Sequence, residues 1–341
     1  MCKSLTQLVG ACCSAALLGA CASSFSSSAA LPVAPLTTAL RAPFAGVSLP
    51  PETGASLYVA NDVTVTVYPS GGSSPLRTIS QGIDNPRALV FDGSGNLYVA
   101  NYDSSTVTVY PPGGSSPLRT ISHGIDLPSA LAYVSNRLYV ANFDNSTVTV
   151  YPRGGSSPLR TISQGINAPF ALAFDGSRNL YVANTGSNTV AVYPPGGSSP
   201  LRTISQGIDY PDALAFVSNR LYVANRSNNT VTLYPRGGSS PLRTISQGIG
   251  DPRALAFDDL RNLYVANAGD NDVTVYPPGG SSPLLTINQH IDYPSALAFA
   301  SKRLYVADFD SSAVTVYLRK GRLERTISKG IDYPKALAFG P

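Results

Sequence analysis

The apolar positions of this chain fall in short runs whose pattern returns about every 41 residues. The sharpest run is LYVAN, which begins at Leu57, Leu97, Leu138, Leu180, Leu221 and Leu263, and once more as LYVAD at Leu304. The steps between them are 40, 41, 42, 41, 42 and 41 residues. Self-similarity at such a period marks a repeat architecture. Four stretches of each unit have strand character. Strand A is ALAF, strand B is LYVAN, strand C is TVTVY (as at 106–110) and strand D is LRTIS (as at 118–122). Strand C alternates β-branched residues at period 2. A and B are nearly continuous apolar runs, which predicts burial on both faces. D is more polar, as suits an exposed outer edge. Its recurring Arg reads either as protection of that edge or as an attractor of anionic surface groups. Gly and Pro between the runs, with the period-2 pattern, exclude helical repeats of similar length.

Four strands in about 41 residues predict one blade of a β-propeller, an all-β fold. B–C–D occurs seven times from Leu57, and A seven times, from Ala88, Ala130, Ala171, Ala213, Ala254, Ala296 and Ala336. The first B has no A before it, and the last A is followed only by Gly340-Pro341. The expected solution is a closed ring of seven blades in which Ala336–Phe339 pairs with Leu57–Asn61. Closure removes the two open ends of a linear array. Blades also alternate in kind. The A–B turn reads DGSGN at 92–96 and VSNR at 134–137, and the residues after TVTVY read PP at 111 and PR at 152, which gives a superperiod of 83 residues.

Charged residues are only 13% of the chain, with 30 Gly and 28 Pro, a balance that suits many short strands and turns. A net charge of +4 without Lys/Arg runs gives no case for nucleic acid. All four cysteines (Cys2, Cys12, Cys13 and Cys21) precede the repeats, so the ring has neither a disulfide nor a thiolate metal site. Histidine occurs only at His123 and His290, in different columns, and neither has a nucleophile beside it. No cofactor, metal site or catalytic residue is therefore expected.

Residues 1–20 read as an export leader, with Lys3 ahead of a short apolar stretch from Leu8 to Ala20. The stretch ends Leu18-Gly19-Ala20-Cys21, which resembles the lipobox of bacterial lipoproteins. That resemblance implies cleavage before Cys21, lipid on its thiol and attachment to a membrane of the cell envelope (outer membrane or cell surface). An ordinary cleavage site, leaving a secreted or periplasmic protein, is the alternative. Residues 21–54 are rich in Ser, Ala and Pro and read as a tether. The propeller is expected over 55–341.

The unit LYVAN…TVTVY…GG…TI…P resembles the NHL and YVTN-type β-propeller repeats of bacterial exported proteins, over residues 57 to 339. The resemblance implies the fold, which hosts binding, scaffolding and enzymatic functions. Enzymatic relatives include gluconolactonase-like lactonases and virginiamycin B lyases. Their blade-specific acidic, Asn or His sets have no counterpart here, so no catalytic residue is carried over.

Strands alternate in direction within a blade, so B–C turns and D–A connections emerge on one face and A–B and C–D turns on the other. The GGSSP turns of the second face scarcely vary. The first face varies at three columns. After LYVAN stand Tyr102, Phe143, Arg226 and Phe309; before the Pro of IDxP stand Tyr210, Tyr293 and Tyr333; after it stand Arg87, Phe170, Asp212, Arg253 and Lys335. Aromatic and Arg side chains are the usual anchors of binding surfaces. A ligand or partner site, for a protein or glycan, is expected on this face near the channel mouth, with neutral variation of tolerant loops as the alternative. The aspartates of IDxP (Asp84, Asp126, Asp209, Asp292 and Asp332) suggest either a ring of Ca²⁺ ligands or Asx turns; one carboxylate per site favours the turns. The expected function is a lipid-anchored binding or scaffold module. The alternatives are a metal-dependent lactonase- or lyase-type enzyme and a structural surface protein.

Overall fold

The computed structural model describes residues 54–341, all of them strand, turn or irregular segment. The leader, Cys21 and nearly all of the 21–54 tether lie outside the described residues. The chain forms seven four-stranded antiparallel sheets arranged as a seven-bladed β-propeller. In the second blade strand A is Pro86–Phe91, B is Leu97–Asn101, C is Thr106–Tyr110 and D is Arg119–Ile121. Strand A thus begins at the Pro of IDxP, earlier than ALAF alone suggests. D keeps only three residues in the sheet.

The ring closes as expected. Ala336–Gly340 pairs antiparallel with Ser56–Ala60, with Leu57 opposite Phe339 and Val59 opposite Leu337. Further bonds join the two ends: Asp62 N to Asp332 O (3.0 Å), Lys335 N to Ala60 O (2.8 Å) and the Tyr58 hydroxyl to Pro341 O (2.9 Å).

Both faces of each blade are covered by neighbouring blades, which is why LYVAN is apolar throughout. Tyr98 and Ala100 pack with Leu131, Tyr133 and Val140 of the third blade. Leu97 and Val99 turn the other way, onto Tyr58, Ala60 and Val67 of the first. At the seam, Leu57, Val59 and Phe339 meet Ala298, Tyr305 and Val316 of the seventh blade. A strand B tyrosine meets a strand A aromatic at every blade boundary, and the geometry alternates. Tyr98–Tyr133, Tyr181–Phe216 and Tyr264–Phe299 lie 5.5 Å apart at 36°. Tyr58–Phe91, Tyr139–Phe174, Tyr222–Phe257 and Tyr305–Phe339 are edge-on at 4.8–5.0 Å.

Strand D arginines serve this packing. Arg119 stands in register with Val109 and Tyr98; its guanidinium donates to the Tyr98 hydroxyl at 3.2 Å and sits over that ring at 5.8 Å. Arg77, Arg202 and Arg325 repeat the contact on Tyr58, Tyr181 and Tyr305. The PR turns explain the superperiod. Arg153 donates to Ser94 and Arg236 to Ser177, while Arg319, which follows Leu318 instead of a Pro, pairs with Asp259; each reaches the A–B turn of the preceding blade.

Candidate functional site

Six of the seven D–A connections are held by the Asn that ends strand B of the blade they enter; the seventh blade has Asp308 at that position. The Asn101 side chain is fully buried; its Nδ2 donates to Thr106 and Thr108, and its Oδ1 accepts the backbone N–H of Asp84 at 3.2 Å. Asn167 and Gly250 take the place of Asp84 in other blades and donate the same backbone bond, to Asn184 and Asn267. The turn therefore needs no Asp side chain, and the Asx bond anticipated from the sequence is replaced by the strand B Asn. Among the described residues no three acidic, His or Cys side chains gather as a metal site. The residue before each Pro has a left-handed backbone, from Asn85 at φ 45° to Tyr333 at φ 42°. The preference of pre-proline residues for extended backbone hides this turn in the sequence. It aims the neighbouring side chains over the channel.

At the channel mouth these positions enclose a cavity of about 270 Å³. Seven of the residues singled out from the sequence line it: Arg87, Phe170, Asp212, Arg253, Tyr293, Phe309 and Lys335, joined by Ser295 and Asp310. A smaller cavity of about 70 Å³ adjoins Arg87 and Phe170 and adds Tyr102, Ser129, Phe143 and Tyr210. Arg226 lies outside both, in an open groove with Tyr210 and Asp251. Tyr333 is exposed and packs against Phe309, the rings tilted at 50° with centroids 5.1 Å apart.

The charges are arranged as a linked set. Arg253 donates through Nη2 to the Tyr293 hydroxyl (2.7 Å) and to Asp251 Oδ2 (3.1 Å), while its Nη1 lies 3.6 Å from Asp212 Oδ2. Arg226 Nε donates to Asp251 Oδ1 at 3.0 Å. Asp212 is 1% exposed and neither carboxylate oxygen has a hydrogen bond. Burial pushes its pKa up to about 7, against the pull of Arg253 and Arg226. Where Asp212 stands, the third and seventh blades have Ser129 and Ser295, whose hydroxyls donate to Pro169 O and Pro334 O of the next blade at 2.6 Å. Lys335 is also buried; its Nζ donates to Asp62 Oδ1 (2.6 Å) and to Asn85. Arg87 lies over the Tyr102 ring at 4.9 Å and Arg226 over Tyr210 at 5.2 Å.

The sequence reading did not select Asp62, Asn85, Asp251 or the two serines. Asp62 opens the shortened first B–C turn, in the same column as Tyr102, and Asp251 shares a column with Tyr210. The signal was their column, and what hid them was their small or common side chains.

No protein-family model matches this chain, and no curated protein matches it. Solved structures do. A computationally designed protein, Ika8, has 20% identity and a TM-score of 0.65, covering 89% of this chain and 94% of its own. A Bacteroides uniformis protein assigned as a 6-phosphogluconolactonase has 16% identity and a TM-score of 0.71, covering 84% of this chain and 100% of its own. A catalytically inactive virginiamycin B lyase from Staphylococcus aureus, solved with quinupristin, has 11% identity and a TM-score of 0.62, covering 70% and 83%. At such identities the likeness is one of fold.

Proposed function

We propose that this chain is a binding module whose site is the channel mouth on the face of the B–C turns and D–A connections. The supporting observation is the contrast between repeated and unrepeated positions. The blades are alike wherever they build the ring, yet the mouth collects unlike groups (Arg87, Phe170, Asp212, Arg253, Phe309 and Lys335) from different blades around one cavity. Cationic and aromatic side chains held by fixed partners give a preorganised, amphipathic lining. A protein loop or a glycan suits such a surface. The test is capture from the native envelope extract by the purified full-length chain. A specific ligand should be retained, and retention should fall at least about tenfold with Arg253→Ala or Phe309→Ala, the loss typical of an anchor residue. Equal capture by these variants would refute the site.

We also propose attachment to the envelope through lipid on Cys21, on the strength of Leu18-Gly19-Ala20-Cys21. Labelled palmitate should enter the wild-type chain and not Cys21→Ala; label retained in that variant would remove this reading.

A second reading is a lactonase- or lyase-type enzyme. Its support is the naming of two fold neighbours and the buried carboxylate of Asp212 beside the cavity, which faces Arg253 but accepts no hydrogen bond. A stoichiometric divalent ion that is lost on Asp212→Ala would favour it over the binding module.

A further inference from the structure

The two faces of the ring differ in charge and in exposed apolar groups. The A–B turns carry Arg137, Arg178, Arg220, Arg261, Lys302 and Arg303. The C–D turns add Arg153, Arg236, Arg319, Lys320 and Arg322. Among the described residues, Asp92, Asp175, Asp258, Asp259 and Glu324 are the acidic side chains on this face; they pair with Arg236, Arg319 and Arg303, and leave Arg137, Arg153, Arg178, Arg220, Arg261, Lys302, Lys320 and Arg322 without an acidic ion-pair partner. On the opposite face the balance reverses. Its D–A connections and B–C turns carry an aspartate in nearly every blade, opposed by Arg87, Arg226, Arg253, Lys329 and Lys335. The mild net charge of the whole chain conceals this separation.

The basic face also bears an apolar rim. Leu76, Leu118, Leu159, Leu201, Leu242 and Leu284 each follow the Pro of a C–D turn and are 55–63% exposed. Leu260, on an A–B turn, is 57% exposed. The other exposed large hydrophobics among the described residues are Val63 and, less exposed than the leucines, Tyr333, both on the acidic face. One exposed leucine per blade in six blades is a patterned feature, unlike the scattered apolar residues of ordinary surfaces.

The described chain enters the ring on this face as well. Strand B of the first blade starts at Ser56 at the A–B end, and the strand closing the ring finishes at Gly340, just before Pro341, at the same end. The segment preceding Gly54 therefore joins the propeller on its basic side.

We propose that the basic, leucine-rimmed face lies against an anionic phospholipid surface, leaving the channel mouth turned away from it. Basic residues near a negatively charged headgroup layer and apolar side chains entering its outer part act together; each alone binds weakly. The short GGSSP turns let the ring approach closely, since Gly and Ser add little bulk between the leucines. This inference does not depend on the ligand at the mouth or on lipid at Cys21.

The test uses the full-length chain carrying Cys21→Ala, so that no lipid contributes, in flotation with vesicles of phosphatidylglycerol or of phosphatidylcholine. Any contribution of the leader is common to all the proteins compared. Binding to phosphatidylglycerol should exceed binding to phosphatidylcholine by about tenfold or more and weaken with salt. It should drop about tenfold in Leu118→Ser/Leu159→Ser/Leu201→Ser, and again in Arg178→Gln/Arg220→Gln/Arg261→Gln, with circular dichroism unchanged. Equal binding to both vesicles would overturn the proposal, as would variants that bind like the parent. So would absence of vesicle binding together with a dimer that the leucine changes dissolve, because the face would then be covered by a second copy of the chain.

Discussion

At the scale of single residues, the strand B Asn is the most informative position. It is buried at Asn61, Asn101, Asn142, Asn184, Asn225 and Asn267, and it joins strand C to the D–A connection through amide groups that both donate and accept. The seventh blade has Asp308 instead. Its Oδ2 accepts from Thr315 N and Oγ1 at 3.2 and 2.7 Å, while Oδ1 has no partner. Desolvated, Asp308 has its pKa pushed up to about 7 despite the bonds from Thr315 and the pull of the Asp292 backbone N–H. The folded state then keeps a proton on Asp308 up to about pH 7, which the unfolded chain releases near pH 4. Between those values the folded state binds more protons, so this group makes stability fall as pH rises from about 4 to about 7, with no further loss above. Asp308→Asn should abolish that slope and raise stability at pH 8 by roughly 1–3 kcal/mol. Denaturant melts of both proteins at pH 5 and pH 8 provide the check; equal stabilities at pH 8 would show that the carboxylate is not strained there. His290 is a second departure, at φ 58° where the six other blades have Gly at φ 72–79°.

At the scale of elements, strands B and C were legible because period and apolarity agree: a run such as LYVAN can be buried on both faces only inside a stack. Strand C ends in a tyrosine whose hydroxyl bonds a backbone carbonyl of the connection just before its own blade, as Tyr110 does to Gln81 O at 2.6 Å. That bond explains an otherwise polar tip on a buried strand. The DGSxN turns were legible as turns but not as devices. Asp175 Oδ1 accepts the N–H groups of Ser177 and Asn179, its Oδ2 accepts from Asn179 Nδ2, and Arg236 Nε lies 3.4 Å away. The partner Arg belongs to the next blade, so spacing within one unit could not reveal it. At the mouth the structure brings together most members of the variable columns. Burial was the illegible part. Asp212 and Lys335 read as exposed loop residues, yet both lie inside the funnel, because the left-handed pre-proline turn draws strand A inward from its first residue.

At the scale of the whole molecule, the paired repeat and the closed ring are in tension. Arg153, Arg236 and Arg319 tie the second blade to the third, the fourth to the fifth and the sixth to the seventh. Seven blades cannot all be paired, and the first is left over. The aromatic contacts record this. Edge-on and tilted pairs alternate around the ring except at the first blade, where Tyr305–Phe339 and Tyr58–Phe91 are both edge-on. That blade is also the one assembled from both ends of the described chain. It supplies Lys335 and Asp62 to the mouth, so closure builds part of the candidate site as well as sealing the core.

Ring closure is thus the claim on which the mouth, its lining and the two-faced charge pattern all depend. It is tested most directly by thermal unfolding of a chain that ends at Ile331. Loss of the Ala336–Gly340 strand uncovers Leu57 and Val59 on one side and the Tyr305 ring on the other. Several buried apolar side chains at roughly 1.5–3 kcal/mol each make that loss comparable with the stability of a typical domain. The account predicts a fall in Tm of more than about 10 °C, with a broadened transition. Unchanged melting of the shortened chain would contradict it.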